Sequence, residues 1–203
     1  MKTVKFLTTA VFASAIIFSC SSDDITPSSD DTTPDPVSEE EVITTVTVTL
    51  ISADGSETVT LQSRDLDGDD GPNLPVVTDP VNLTAGTTYF GSIELLNETE
   101  DPAVDVTEEI LEEDLDHQFF YEVGTELDIV ASYLTDVDPT EYPGAMDSEG
   151  DPLGQEFSLV TNGPSSGVLQ FVLLHEPEKP NDGDWSTNPG SVDINVTFNV
   201  VVQ

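Results

Sequence analysis

Residues 192–202 read VDINVTFNVVV, and their alternation decides the fold. Val192, Ile194, Val196, Phe198, Val200 and Val202 are apolar at every second position, with Asp193, Asn195, Thr197 and Asn199 between them. Successive side chains of a strand point to opposite faces, so the pattern predicts a strand with one face buried and one wet. Similar runs stand upstream at residues 42–51, 58–63, 89–97, 117–123, 127–134, 157–161 and 168–175, separated by Gly, Pro and Asp turns. Together they predict an all-β domain, an antiparallel immunoglobulin-like β-sandwich of seven or eight strands, with a closed barrel as the alternative. Residues 105–114, DVTEEILEED, break the pattern. The capping-box spacing of Asp105 and Glu108, and Val106 and Ile110 four apart, predict one short acidic helix.

The chain before the first strand has a different character. In residues 1–19, MKTVKFLTTAVFASAIIFS, Lys2 and Lys5 precede an apolar stretch too short to cross a bilayer as a mature helix, the pattern of an export signal peptide. Cys20 is the only cysteine, so no disulfide forms within one chain. It closes IIFSC, which resembles the lipobox of bacterial lipoproteins; the resemblance implies cleavage before Cys20 and lipidation of its thiol. Residues 21–40 are mostly Ser, Thr, Asp and Pro, with too little apolar surface to repay their ordering, and read as an acidic tether. The sandwich domain is therefore expected over 41–203. The acids behind Cys20 resemble the export signal of Gram-negative lipoproteins displayed on the outer cell face, which implies a lipid-anchored protein at the outer membrane, with the periplasmic face as the alternative.

The net charge is −37; removal of Lys2 and Lys5 leaves Arg64 and Lys179 against 41 acids, a net charge of −39. Such a field repels nucleic acid and anionic lipid, opposes self-association and so favours a monomer, and draws in metal cations or a basic protein surface.

Two motifs invite a catalytic or calcium reading. Residues 163–167, GPSSG, match the G-x-S-x-G nucleophile elbow, which needs a strand before the serine and a helix after it. Here a proline-containing turn leads into VLQFVLLH, so a hairpin turn and no enzyme are expected. In RDLDGDDGPN, Asp65, Asp67 and Asp69 alternate as in a calcium loop, but Asp70 stands where that loop needs glycine, and the distal Glu is missing. An acidic surface turn is the competing reading.

The histidines carry the chemistry. By strand parity His117 shares a face with Phe119, Tyr121 and Val123, and His175 with Leu169, Phe171 and Leu173. His117 begins its strand and His175 ends its own, so antiparallel pairing brings them to one rim. Glu113, four residues before His117 on the acidic helix, and Glu176 supply candidate carboxylates. Two imidazoles with carboxylates suit zinc or another divalent transition metal, and suit calcium less. The competing reading has each imidazole bonded to a carbonyl or a nearby acid.

The lipobox, the acidic tether and the segments EEEVITTVTVTL, LQSRDLDGDDGPN, TTYFGSIELLNE, DLDHQFFY, LLHEPEKP and VDINVTFNVVVQ resemble a family of small outer-membrane lipoproteins often called "type 1 periplasmic binding fold". The likeness extends over nearly the whole mature chain. That name's two-lobed fold is not expected, because β and α units do not alternate here. The resemblance implies a TonB-dependent outer-membrane receptor as partner and a role in metal acquisition, with His117 and His175 as ligands. The function expected is capture of a divalent metal for that receptor. The alternatives are an adhesin or structural surface module without a metal, and haem capture by two axial histidines, for which two cationic residues are poor partners of the propionates.

Overall fold

Eleven strands and one α-helix are present among the residues described in the computed structural model, 41–68, 71–181 and 183–203. The expected signal peptide, Cys20 and the tether lie outside them. In chain order the elements are β1 (Thr45–Ser52), β2 (Thr58–Arg64), β3 (Val76–Val77), β4 (Val81–Leu83), β5 (Thr88–Asn97), β6 (Val104–Asp105), α1 (Val106–Glu112), β7 (His117–Val123), β8 (Ile129–Tyr133), β9 (Glu156–Thr161), β10 (Ser165–His175) and β11 (Ser191–Val202). They form a seven-stranded sheet of order β3-β2-β1-β5-β9-β8, with β6 beside β5, and a four-stranded sheet of order β4-β11-β10-β7.

All eight apolar runs of the sequence are strands. The additional strands β3, β4 and β6 are two or three residues long, too short to show an alternation. The arrangement is a two-sheet, sandwich-like β fold, but it is not purely antiparallel: β4 runs parallel to β11. The helix begins where its cap predicts, the Asp105 side chain accepting from the Thr107 N–H at 3.0 Å. It ends at Glu112, two residues before the end of the acidic run.

The core lies between the sheets. Val46, Val48 and Leu50 of β1, Ile93 and Leu95 of β5, and Phe157 and Leu159 of β9 meet Leu169, Phe171 and Leu173 of β10 and Phe198, Val200 and Val202 of β11. Aromatic rings join the two layers, Tyr121 to Phe157 at 4.7 Å and Phe157 to Phe171 at 5.6 Å between centroids. On the outer face of the smaller sheet Phe120, Val172 and Leu174 are buried with Trp185 against them, carried by a 3₁₀ turn at Trp185–Thr187. Burial on both faces accounts for the continuous apolar runs in β7 and β10, where strict alternation fails.

Candidate metal centre

β7 and β10 pair antiparallel from Leu169↔Val123 to His175↔His117, so the two histidines face one another across the ladder. Side chains opposite each other on one sheet face are close neighbours. The imidazole centroids are 4.7 Å apart, with the rings tilted by 32°. Both residues are buried, as the parity argument requires.

A carboxylate comes from β11 by a break in register. Leu173 pairs with Ile194, but Leu174 pairs with Val192, so Asp193 is an extra residue in its strand. A bulge of this kind inverts which face the following side chains take. Val192 is 49 % exposed, while the Asp193 side chain is 1 % exposed. Uninterrupted alternation assigns those two residues the opposite faces, and the bulge corrects it.

The second carboxylate is Glu41, on the lead-in to β1, its side chain almost wholly buried. Glu41 Oε1 lies 3.2 Å from His117 Nε2, Glu41 Oε2 lies 3.8 Å from His175 Nδ1, and Asp193 Oδ2 lies 3.9 Å from His117 Nε2. One ligand atom from each of the four residues falls within 4.8 Å of all the others. Among the described residues this is the one place where three or more such atoms converge.

The far nitrogen of His117 fixes its chemistry. Nδ1 is 3.1 Å from the Glu113 carbonyl oxygen. A carbonyl only accepts, so Nδ1 carries a proton, and in the neutral ring the Nε2 lone pair points at the carboxylates. His117 Nε2 and Glu41 Oε2 are both buried with no hydrogen-bond partner among the described residues. A buried lone pair facing carboxylates is repulsive unless a metal ion or a proton lies between them.

Glu113 and Glu176, the carboxylates expected from sequence, are not in the group. Both are exposed. Because α1 stops at Glu112, Glu113 and His117 are not stacked on one helix face, and Glu113 takes part only through its carbonyl. Glu176 has φ +53, and its N–H donates to the Asp116 carbonyl at 2.6 Å, which ties the end of β10 to the start of β7. The same junction is held by Lys179, whose ammonium donates to the Asp114 carbonyl at 2.8 Å and pairs with Asp147 at 3.0 Å. Burial pushes the Asp147 carboxyl up, but Lys179 and the N–H groups of Asp151 and Glu149 hold it below the usual range.

The other motifs settle locally. Asp65 accepts from the N–H groups of Asp67 and Gly68, and Asp67 accepts from the Asn73 amide side chain at 2.8 Å, which keeps its carboxyl below the ordinary value. These are the internal bonds of an acidic turn; Asp69 lies outside the described residues. Ser165 opens β10 with no helix after it, its hydroxyl accepting from the Asp128 N–H and donating to the Gly163 carbonyl. His175 is at the far end of that strand, about 30 Å away at the usual rise per residue.

The fold and the cluster define a class: a two-sheet β protein with a buried group of two histidines and two carboxylates at one end of its smaller sheet. Comparison with protein-family models, curated proteins and solved structures found no significant match to the chain.

Proposed function

We propose that this protein is a lipid-anchored binding protein of the cell envelope that holds one divalent transition metal, with zinc the best match, through Glu41, His117, His175 and Asp193. The observation that carries the reading is the His117 ring, one nitrogen committed to the Glu113 carbonyl and the other buried against two carboxylates. Two neutral imidazoles and two carboxylates balance a 2+ charge and supply four ligands, the usual number for zinc. With Zn–ligand bonds of ~2.0–2.1 Å, tetrahedral ligand atoms sit roughly 3.3 Å apart. The separations of 3.2, 3.8 and 3.9 Å, measured to both Glu41 oxygens, approach that, and the four ligand atoms, all within 4.8 Å of one another, have to draw in around an ion. Calcium fits less well, since it prefers six to eight oxygens.

The same distances admit a second reading, in which His117 is protonated at both nitrogens and simply paired with Glu41. The haem alternative has less support: neighbouring strands set the rings side by side, with no plane between them for a porphyrin. The lipobox and acidic tether favour anchoring at the outer membrane through Cys20, and the family resemblance favours delivery of the metal to a TonB-dependent receptor. An adhesin or structural module without a metal remains the competing role. For the fold, assigning β5, β7, β8, β9, β10 and β11 to strands B to G makes the orders β5-β9-β8 and β7-β10-β11 follow the B-E-D and C-F-G orders of an immunoglobulin domain, which favours that reading of the sandwich.

Calorimetric titration of zinc into the metal-free protein tests the centre. One equivalent binds, calcium does not compete, and His117→Gln and His175→Gln each abolish the tight phase while circular dichroism shows the sheets intact. Tight binding that survives in both variants refutes the centre, and absence of binding to the wild type leaves the ion-pair reading in its place.

A further inference from the structure

The four residues of the cluster are not held alike. His117, His175 and Asp193 lie on β7, β10 and β11, neighbouring strands of one sheet; the histidines are paired with each other, and Asp193 is fixed by the paired residues on either side of its bulge. Glu41 belongs to the segment that leads into β1, in the other sheet. Among the described residues no backbone hydrogen bond holds Glu41, Val42 or Ile43; the first is from the Thr44 N–H to the Leu96 carbonyl at 2.9 Å. Ile43 packs against the core and is the segment's apolar anchor.

A cleft of about 280 Å³ opens beside the cluster. Glu41 and Asp193 line it and the two imidazoles do not; the remaining wall is mixed, with Ile43, Val77 and Ile194 interspersed with Ser63, Asp65 and Asn195. The carboxylate side of the centre therefore faces the way in, and of the two carboxylates Glu41 has the longer side chain and the less constrained backbone.

We infer that metal exchange runs through this cleft and that Glu41 is the ligand that yields. This rests on the metal reading above. In the exchange step the bond from the metal to the Glu41 oxygen breaks as a bond from an incoming donor forms on the cleft side; the oxidation state does not change, and the imidazoles and Asp193 hold the ion until a second donor displaces them. The cleft also selects the class of donor. Its apolar side chains offer an aromatic ring a surface to pack on, and Asp65 beside Glu41 and Asp193, in an acid-rich protein, repels anions. An uncharged aromatic nitrogen donor fits, either the imidazole of a partner's histidine or a small heteroaromatic chelator, whereas polycarboxylates are disfavoured.

The test is the rate at which phenanthroline strips zinc from the zinc-loaded protein. The wild-type rate rises with phenanthroline concentration, and EDTA at the same concentration is slower. Glu41→Gln still binds zinc and loses it at least about tenfold faster, within the range that perturbed metal sites show. Val77→Trp, which fills the cleft from the short edge strand β3 at a position that is not one of the four ligands, slows the stripping about tenfold at unchanged zinc affinity. Hydrogen exchange gives a measurement independent of variants: zinc protects the Val42 and Ile43 amides. A stripping rate independent of phenanthroline concentration, a wild-type rate in Val77→Trp, or no protection of those amides overturns the route while leaving the metal centre standing. Failure of the wild type to take up zinc overturns both.

Discussion

Gly190 shows how much of the centre depends on a residue that carries no chemistry. Its φ is +125, and a Cβ placed there would lie 2.5 Å from the His175 carbonyl oxygen and 3.1 Å from that of Glu176. Only glycine lets the chain pass so close to the end of β10 just before it turns into β11 and the bulge at Asp193. Gly190→Ala is expected to lower the unfolding free energy by about 1–3 kcal/mol, the usual cost of a side chain in a glycine-only conformation. The denaturant midpoint measures this. The strain falls between His175 and Asp193, so it also disturbs the group that could hold a metal ion, and a variant with wild-type stability would mean that this close approach is not rigid.

At the level of the element, β1, β2 and β5 are clamped at one end by Glu98, which follows β5. Its carboxylate accepts two hydrogen bonds from Arg64 of β2, at 2.8 and 2.6 Å, and one from the Thr45 hydroxyl of β1. The Arg64 guanidinium, aided by Thr45, brings the Glu98 pKa from its ordinary 4.5 down to about 2. A carboxyl depressed by folding stabilises the native state above its unfolded pKa, and that contribution is lost as pH falls through the folded value. The Glu98 contribution is thus fully present above pH 4.5 and disappears between there and about 2. Thermal unfolding followed from pH 5 to pH 2 should show the wild type more stable than Glu98→Gln at the upper end and the two converging at the lower end. A constant difference across that range would assign the loss to packing instead of charge.

Over the whole molecule, electrostatics are governed by a net charge of −37. Arg64 and Lys179, the two basic residues of the folded part, are each paired with an acid, so most of the carboxylates repel one another. Screening shortens the reach of this repulsion from about 30 Å at 0.01 M salt to about 3 Å at 1 M. The melting temperature at neutral pH is therefore expected to rise when sodium chloride is raised from about 10 mM to about 0.5 M, with the protein monomeric throughout. A melting temperature that falls would mean that the paired charges outweigh the repulsion.

The sequence by itself determined the strands and the placement of the histidines, because both follow from a two-residue period that adjacent side chains express directly. The run at 192–202, the start of β7 at His117 and the cap of α1 at Asp105 were legible for that reason, and once β7 and β10 were taken as antiparallel neighbours, so was the meeting of His117 and His175. The short strands β3, β4 and β6, and the parallel pairing of β4 with β11, were not legible, since two or three residues carry no period and pairing direction is set by distant chain. The carboxylates were decided by tertiary structure alone. Glu41 is more than seventy residues from His117 in sequence and is the first residue after the acidic tether, with only its position just before the first apolar run as a signal. Asp193 sits on the wet side of the clearest alternation in the chain, and what turns it inward is one unpaired residue opposite β10, a feature of the register between two strands that neither strand shows when read alone.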